Sequence, residues 1–421
     1  MGHTSVRSAS PKINGPRLIE RLDLLASIGR DPRGGMARFS YTPAHAEACV
    51  LVAGWMSDAG LEPSLDRVGN LIGVGGQRDS TAAAPAVSAG SHLDTVPMGG
   101  RLDGALGVVA AVECAQTLRD AGAVLRHRLA ALAFADEEGN SFGIGCLTSR
   151  ALIGELPDER LQEIRDRNGT AMAQRIASWE CPLPRRAAPP LAAYLELHIE
   201  QGPRLEAEGL DAAAATTIAG ISRTTITFEG RANHAGTTPM SMRRDALWGA
   251  SALVLEVRRL ALASSGEAVA TVGRLEVEPG STNIIPGAAR VRVEIRSGSE
   301  SRLSGLRDDV EAAAHALARE FGLNVRFDIW DHMGAEPLDE RIRALAMEAA
   351  GERGLRAISM PSWAGHDAKI LAPHVPSGLL FVPSKGGISH APDEDTDPAH
   401  LAAGAQMLLD TLLKVDAHFP N

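Results

Sequence analysis

Cysteine is sparse in this chain: four in 421 residues, at Cys49, Cys114, Cys146 and Cys181. No two are spaced as Cys-x-x-Cys, so neither a thiolate zinc site nor a disulfide framework is indicated. Reduced thiols and a cytoplasmic location are the simpler expectation. No apolar run approaches the ~20 residues that span a bilayer, so no membrane association is expected. Met1 to Ser10 lack the apolar core of a signal peptide, and Val6 stands where a myristoylation signal needs Ser or Thr. Positive charge is in deficit, with 42 Lys and Arg against 52 Asp and Glu, a net charge of −10. That balance argues against a nucleic-acid partner. Internal repeats and long low-complexity tracts are also missing. The length is too great for one ordinary core, which points to about two or three domains.

What is present is an alternation of apolar strands and helices. Pro43 to Gly60 reads as a helix, with Thr42 as its cap, Pro43 in its first turn and Gly60 at its end. Short apolar runs at Pro85 to Gly90, Leu129 to Ala135, Leu191 to Leu197 and Leu379 to Val382 read as buried strands, with a helix over Gly104 to Gly122. This alternation predicts an α/β domain with a mostly parallel sheet flanked by helices. From about Ala213 to Trp330 the pattern changes. Strands at Arg223 to Glu229, Ala268 to Glu276, Ala289 to Glu294 and Asn324 to Trp330 are interleaved with helices at Asp245 to Ala263 and Ser304 to Glu320. The β-α-β-β-α-β order predicts a ferredoxin-like α+β domain inserted into the larger one. The expected division is 1–212 and 331–421 for the larger domain and 213–330 for the insert. Pro182 to Pro190 reads as a surface loop.

Four apolar strands lead into metal-capable side chains: His92, Glu138, His198 and His390. In open α/β sheets, ligands gather beyond the carboxyl ends of the strands, so these residues are expected to converge. Asp103, in the glycine-flanked turn Gly99-Gly100-Arg101-Leu102-Asp103-Gly104, can present its carboxylate to two cations at once. Two metals ~3.5–4 Å apart commonly share such a bridge. Asp94 shares a face with His92 on an extended backbone and can hold the ring nitrogen that does not bind metal. In Asp136-Glu137-Glu138, adjacent side chains point apart. One glutamate should coordinate while the other serves as general base toward an activated water. Mixed His and carboxylate donors suit Zn2+, Mn2+, Co2+ or Ni2+. Singly, each feature has a plainer explanation as a surface histidine, an acidic helix start or a simple turn. Their meeting in one α/β frame is what points to a dinuclear site.

Longer strings carry a resemblance. They are Gly90-Ser91-His92-Leu93-Asp94-Thr95, the Asp103 turn, Phe134-Ala135-Asp136-Glu137-Glu138-Gly139, Glu196-Leu197-His198-Ile199-Glu200-Gln201-Gly202-Pro203, Asn233-His234-Ala235-Gly236-Thr237-Thr238-Pro239-Met240 and Gly387-Ile388-Ser389-His390. In this order, over nearly the whole chain, they resemble the dinuclear-metal amidohydrolases of the M20 peptidase clan. The branch is the one holding N-carbamoyl-L-amino-acid hydrolases, allantoate amidohydrolases and β-ureidopropionases. The Glu-Gln-Gly-Pro and Asn-His-Ala-Gly-Thr-Thr-Pro strings belong to that branch, whereas His-x-Asp is shared by the clan.

The resemblance implies two divalent ions per subunit, Zn2+ or Mn2+ foremost. His92, Asp103 and His198 would hold one, and Asp103, Glu138 and His390 the other, with Glu137 as general base. It implies a catalytic domain with a smaller lid domain that also forms a homodimer. Substrate contacts would come from Gln201, His234, Asn283 and Arg296. His234, reaching in from the partner subunit, would also donate to the developing oxyanion, and the planar fork of Arg296 would pair with a substrate carboxylate. The reaction implied is cleavage of the ureido C–N bond of a small carboxylated substrate. An N-carbamoyl-L-amino acid, giving amino acid, CO2 and ammonia, ranks ahead of allantoate or β-ureidopropionate. A dipeptidase, an N-acyl-amino-acid deacylase and a non-catalytic metal-stabilised binding protein rank below these. Two departures, Leu102 for the family's Phe and Glu294 where many relatives have Asp, leave the ligand set intact. Gly365-His366-Asp367 reads as a loop-ordering element outside it.

Overall fold

Strands that are apolar along their whole length need cover on both faces, and here they fill the middle of one sheet. In the computed structural model, which describes residues 11–75 and 84–420, they are Ala86–His92, Arg128–Phe134, Leu191–Ile199 and Ser377–Val382. The readings of Met1 to Ser10 lie outside the described residues. These four strands are parallel, in the spatial order Arg128–Phe134, Ala86–His92, Leu191–Ile199, Ser377–Val382. Antiparallel strands extend both sides. Leu71–Gly75 and then Glu62–Leu65 follow Arg128–Phe134, and Ala212–Ile218 follows Ser377–Val382. The result is a mixed sheet with a parallel centre, as the alternation predicts.

The helix Ala105–Asp120 makes the crossover between Ala86–His92 and Arg128–Phe134, and nearly all of its residues are buried. Its sequence, apolar around most of the circumference, has no solvent face to offer. The helices Gly15–Leu25 and Pro398–His418 pack against it. Thr42 caps the helix Pro43–Asp58 by accepting from the His45 N–H, with Pro43 in the first turn. The Pro182 to Pro190 segment is irregular apart from one bridge between Leu65 and Arg185.

The chain divides into two compact units, Met1–Thr216 with Pro337–Met360 and Ala364–Asn421, and Thr217–Glu336 with Pro361–Trp363. The return of Pro361–Trp363 to the second unit has no local sequence signal. The second unit is an antiparallel sheet in the order Asn324–Met333, Gly220–Glu229, Ala288–Ser297, Ala268–Glu278. The helices Ala246–Ala263 and Glu300–Glu320 share one core with it, including Phe228, Leu253, Val291, Leu303 and Val310. This is the strand order of a ferredoxin-like sandwich.

Candidate metal and catalytic site

Three of the four parallel strands carry predicted donors at or just beyond their carboxyl ends. His92 ends its strand and His198 is the penultimate residue of its own. Glu137 and Glu138 follow just beyond Phe134. His390 departs from the expectation of a strand end: past Val382 the chain makes a turn at Lys385–Gly387, and His390 sits on the loop beyond it.

Asp103 is the centre of the cluster. Its Oδ1 lies 3.1 Å from His198 Nε2 and 3.5 Å from His92 Nε2, and its Oδ2 lies 3.0 Å from His390 Nε2. Glu138 Oε1 is 3.5 Å from the same His390 nitrogen. Glu137 Oε2 is 3.9 Å from His92 Nε2. Two donor sets therefore share Asp103: His92, Asp103 and His198, and Asp103, Glu138 and His390. Gln201 Nε2 donates to Asp103 Oδ2 at 3.0 Å. The backbones of Gln201 (φ 58°) and His390 (φ 56°) are left-handed, a conformation that non-glycine residues keep only where their surroundings hold it.

These donors fit divalent cations. Among the described residues, no salt bridge joins Asp103, Glu137 or Glu138 to a lysine or arginine. Glu138 Oε1 is buried without a hydrogen-bond partner. Burial first, then the charges of Asp103 and Glu137, push the Glu138 carboxyl up to about 10, a displacement that a cation beside it would reverse. Burial also raises Glu137, with the Asp94 charge adding to it. Burial works against ionised Asp103 as well, yet hydrogen bonds from His198, His390 and His92 hold it well below the usual carboxylate range.

Asp94 acts differently from its sequence assignment. The atom that accepts from His92 Nδ1 is the Asp94 main-chain carbonyl, at 3.0 Å, while Asp94 Oδ1 is 3.5 Å away. The carboxylate instead accepts from the backbone N–H groups of Glu137 (3.0 Å) and Glu138 (3.1 Å). Asp94 thus aligns the ring with one group and the Glu137-Glu138 turn with another. The ring of His198 is held the same way, through the Ile199 carbonyl at 2.9 Å. These acceptors fix which ring nitrogen faces Asp103.

Sequence reasoning missed several supports. Glu394, 3% exposed, accepts from the N–H groups of Leu102 and Asp103 and from the Ser389 hydroxyl. Glu196 accepts from Ser91 Oγ at 2.7 Å and from the Ala368 N–H at 3.0 Å. The His366 ring meets His198 edge-on at 4.6 Å between centroids. The Cys146 thiol donates to Glu137 Oε1 at 3.1 Å. The buried Arg38 guanidinium donates to the carbonyls of Leu25, Ile28 and Leu93, tying down the strand end at His92. Most of these contacts join residues far apart in the chain, so only the fold reveals them.

The remaining predicted residues lie in the second unit. Asn233–His234 pairs with Ile284–Ile285, and Asn283 O accepts from the Ala235 N–H at 3.0 Å, so His234 and Asn283 share one exposed corner. His234 Nδ1 accepts from the N–H groups of Gly236 (3.0 Å) and Thr237 (3.2 Å). A neutral ring held this way carries its proton on Nε2. Arg296 is bound within its own unit, Nε to Glu294 Oε1 at 2.8 Å and one terminal nitrogen to the Trp363 carbonyl at 2.9 Å.

Residues 89–414 match the family model described as peptidase family M20/M25/M40. An N-carbamoyl-L-amino acid amidohydrolase from Geobacillus stearothermophilus is 38% identical over 95% of this chain and 98% of its own length. An allantoate amidohydrolase from Bacillus subtilis (strain 168) is 34% identical over 94% and 97%. Among solved structures, an amidase of the hydantoinase/carbamoylase family from Burkholderia multivorans superimposes with a TM-score of 0.88 at 34% identity, over 96% of this chain and 98% of that one.

Proposed function

The chain belongs to peptidase family M20/M25/M40 and is a hydrolase of non-peptide C–N bonds, and we propose that its substrate is an N-carbamoyl-L-amino acid. The products would be the free amino acid, CO2 and ammonia. The observation that carries the reading is the shared carboxylate of Asp103, with His198 3.1 Å from one oxygen and His390 3.0 Å from the other. His92, Asp103 and His198 would hold one divalent ion, and Asp103, Glu138 and His390 a second, with Zn2+ or Mn2+ ahead of Co2+ or Ni2+. When bound, such ions make water nucleophilic near neutral pH and polarise a carbonyl.

The rest falls to the chain's own side chains. Glu137 is the general base: its Oε1 is held by the Cys146 thiol, which leaves Oε2 free toward His92. It takes a proton from the attacking water and returns it to the α-nitrogen as the carbamoyl C–N bond breaks. The carbamic acid released decomposes to CO2 and ammonia. His234 offers its Nε2–H to the oxyanion, a role supported by the two N–H groups on Nδ1. In this reading His234 comes from a second copy of the chain. Leu255 and Leu262, two turns apart on the helix Ala246–Ala263, and Leu275 on the edge strand Ala268–Glu278 are exposed apolar side chains of the second unit that would contribute to the dimer contact. That unit would act as lid, with Asn283, Arg296 and Gln201 orienting the substrate and Arg296 exchanging Glu294 for the substrate carboxylate. The four free cysteines support a cytoplasmic location.

Allantoate is the alternative substrate, since relatives of that name are nearly as similar. Ammonia release from N-carbamoyl-L-methionine, allantoate and β-ureidopropionate, after metal stripping and reconstitution, tests the reading against dipeptide cleavage. Turnover of the dipeptide alone would sink it, and turnover of allantoate alone would transfer the assignment.

A further inference from the structure

We propose that Glu394 is a positioning residue that sets the separation of the loops carrying Asp103 and His390, and so governs one of the two candidate ion sites. The inference rests on the dinuclear reading above. The two donor sets are built differently. His92 and His198 lie on strands of the parallel sheet, buried and registered by backbone hydrogen bonds. His390 lies on a loop, half exposed, with a left-handed backbone. The sheet hydrogen bonds do not reach it, so something else must fix its distance from Asp103.

Glu394 does this by bonding to both loops. Its Oε1 accepts from the N–H groups of Leu102 at 2.9 Å and Asp103 at 3.0 Å. Its Oε2 accepts from Ser389 Oγ, the residue before His390, at 3.0 Å. The Glu394 N–H closes a turn on the Ala391 carbonyl at 3.1 Å, which binds the carboxylate rigidly to the His390 loop. On the other side, Gly100 gives the carboxylate its room, because a Cβ at that position would overlap the Glu394 carboxyl group. Two buried N–H groups and the part-buried Ser389 hydroxyl, which also lies 3.3 Å from Asp103 Oδ2, meet one carboxylate, and the distance this arrangement sets is the 3.0 Å between Asp103 Oδ2 and His390 Nε2. Asp103 Oδ1 answers to His198, on a strand that Glu394 does not touch.

The experiment is a Co2+ titration of the stripped full-length chain, followed by visible absorption and elemental analysis, with circular dichroism and thermal melting recorded in parallel. Wild type is expected to take up two equivalents. Glu394→Ala should keep the first with unchanged affinity and bind the second ~10–100-fold more weakly, the range seen when a ligand's outer hydrogen bonds are removed. Gly100→Ala, which keeps the carboxylate but displaces it, should weaken the same equivalent. Glu394→Gln retains an acceptor for the two N–H groups and can donate to Ser389, so it should recover to within a few-fold of wild type. Wild-type affinity for both equivalents in Glu394→Ala and Gly100→Ala overturns the proposal, as does equal weakening of both in variants that fold normally. Fewer than two equivalents in wild type overturns the dinuclear reading, and the proposal with it.

Discussion

Adding one methyl group at Gly104 tests whether His92 stands where a metal requires it. Gly104 precedes the helix Ala105–Asp120 with φ 67° and ψ −47°, a conformation that costs an L-residue at least ~1–2 kcal/mol. A Cβ there would sit 2.5 Å from Cε1 and Nδ1 of His92 and 2.6 Å from Cγ, about 0.9 Å inside ordinary van der Waals contact. The ring has little freedom to retreat, because Nδ1 is held by the Asp94 carbonyl at 3.0 Å and the ring is buried. Metal–ligand distances tolerate roughly ±0.2 Å, so a shift several times larger breaks the coordination. Gly104→Ala is expected to bind the ion of the His92 set ~10–100-fold more weakly and to lose about 100-fold in kcat. The assay pairs metal content after dialysis against graded chelator with turnover of N-carbamoyl-L-methionine. A folded variant that keeps both ions at wild-type affinity and full kcat would refute the placement of His92 at the metal.

Three further outcomes follow from the geometry. Glu137→Gln should lower kcat by about 10²–10⁴-fold while both ions stay bound; a variant that drops an ion makes Glu137 a ligand instead. Asp103→Ala should abolish activity and most metal uptake, because both donor sets share that carboxylate; two retained ions would show the bridge to be wrong. Burial, the largest influence on His45, holds it down to about 4, so the folded chain resists a proton that the unfolded chain accepts near 6.5. Stability from this residue is therefore complete above about 6.5 and is lost as pH falls toward 4. The loss between pH 7 and pH 5 should be about 2 kcal/mol, and a denaturant titration of His45→Gln should show that slope removed; an unchanged slope assigns the acid sensitivity elsewhere.

The central strands were legible because each is apolar throughout, a signature of burial on both faces, and His92 and His198 followed from their positions at strand ends. The β-α-β-β-α-β order of the second unit was legible because its longer strands and helices each carry a regular pattern, even across the irregular stretch between Glu229 and Ala246. The edge strand Glu62–Leu65 and its neighbour Leu71–Gly75 were not, being short, with a proline in one and glycines in the other. The helix Pro398–His418 has a regular cap, Asp397 before Pro398, but no motif drew attention to it. Within the candidate site, the sequence picked out side chains that the fold brings together, but not their atom-level contacts. Asp94 was expected to orient His92 through its carboxylate, yet a backbone carbonyl does so. That choice depends on where the Glu137-Glu138 turn passes, which is a matter of tertiary structure.

The separation of His390 from the other donors along the chain also bears on how the protein is made. The second unit, apart from Pro361–Trp363, is a continuous segment that is synthesised after His198 and before Ser377–Val382, the strand that leads to His390. At translation rates of ~5–20 residues per second, roughly 10–40 s pass between the emergence of His198 and that of His390. For most of that interval the nascent chain displays His92, Asp103, Glu138 and His198 but lacks the central strand beside Leu191–Ile199. A ribosome-bound chain would thus meet the cellular metal pool with half a site and an unpaired apolar strand edge. Chaperone dependence should accordingly concentrate in that window.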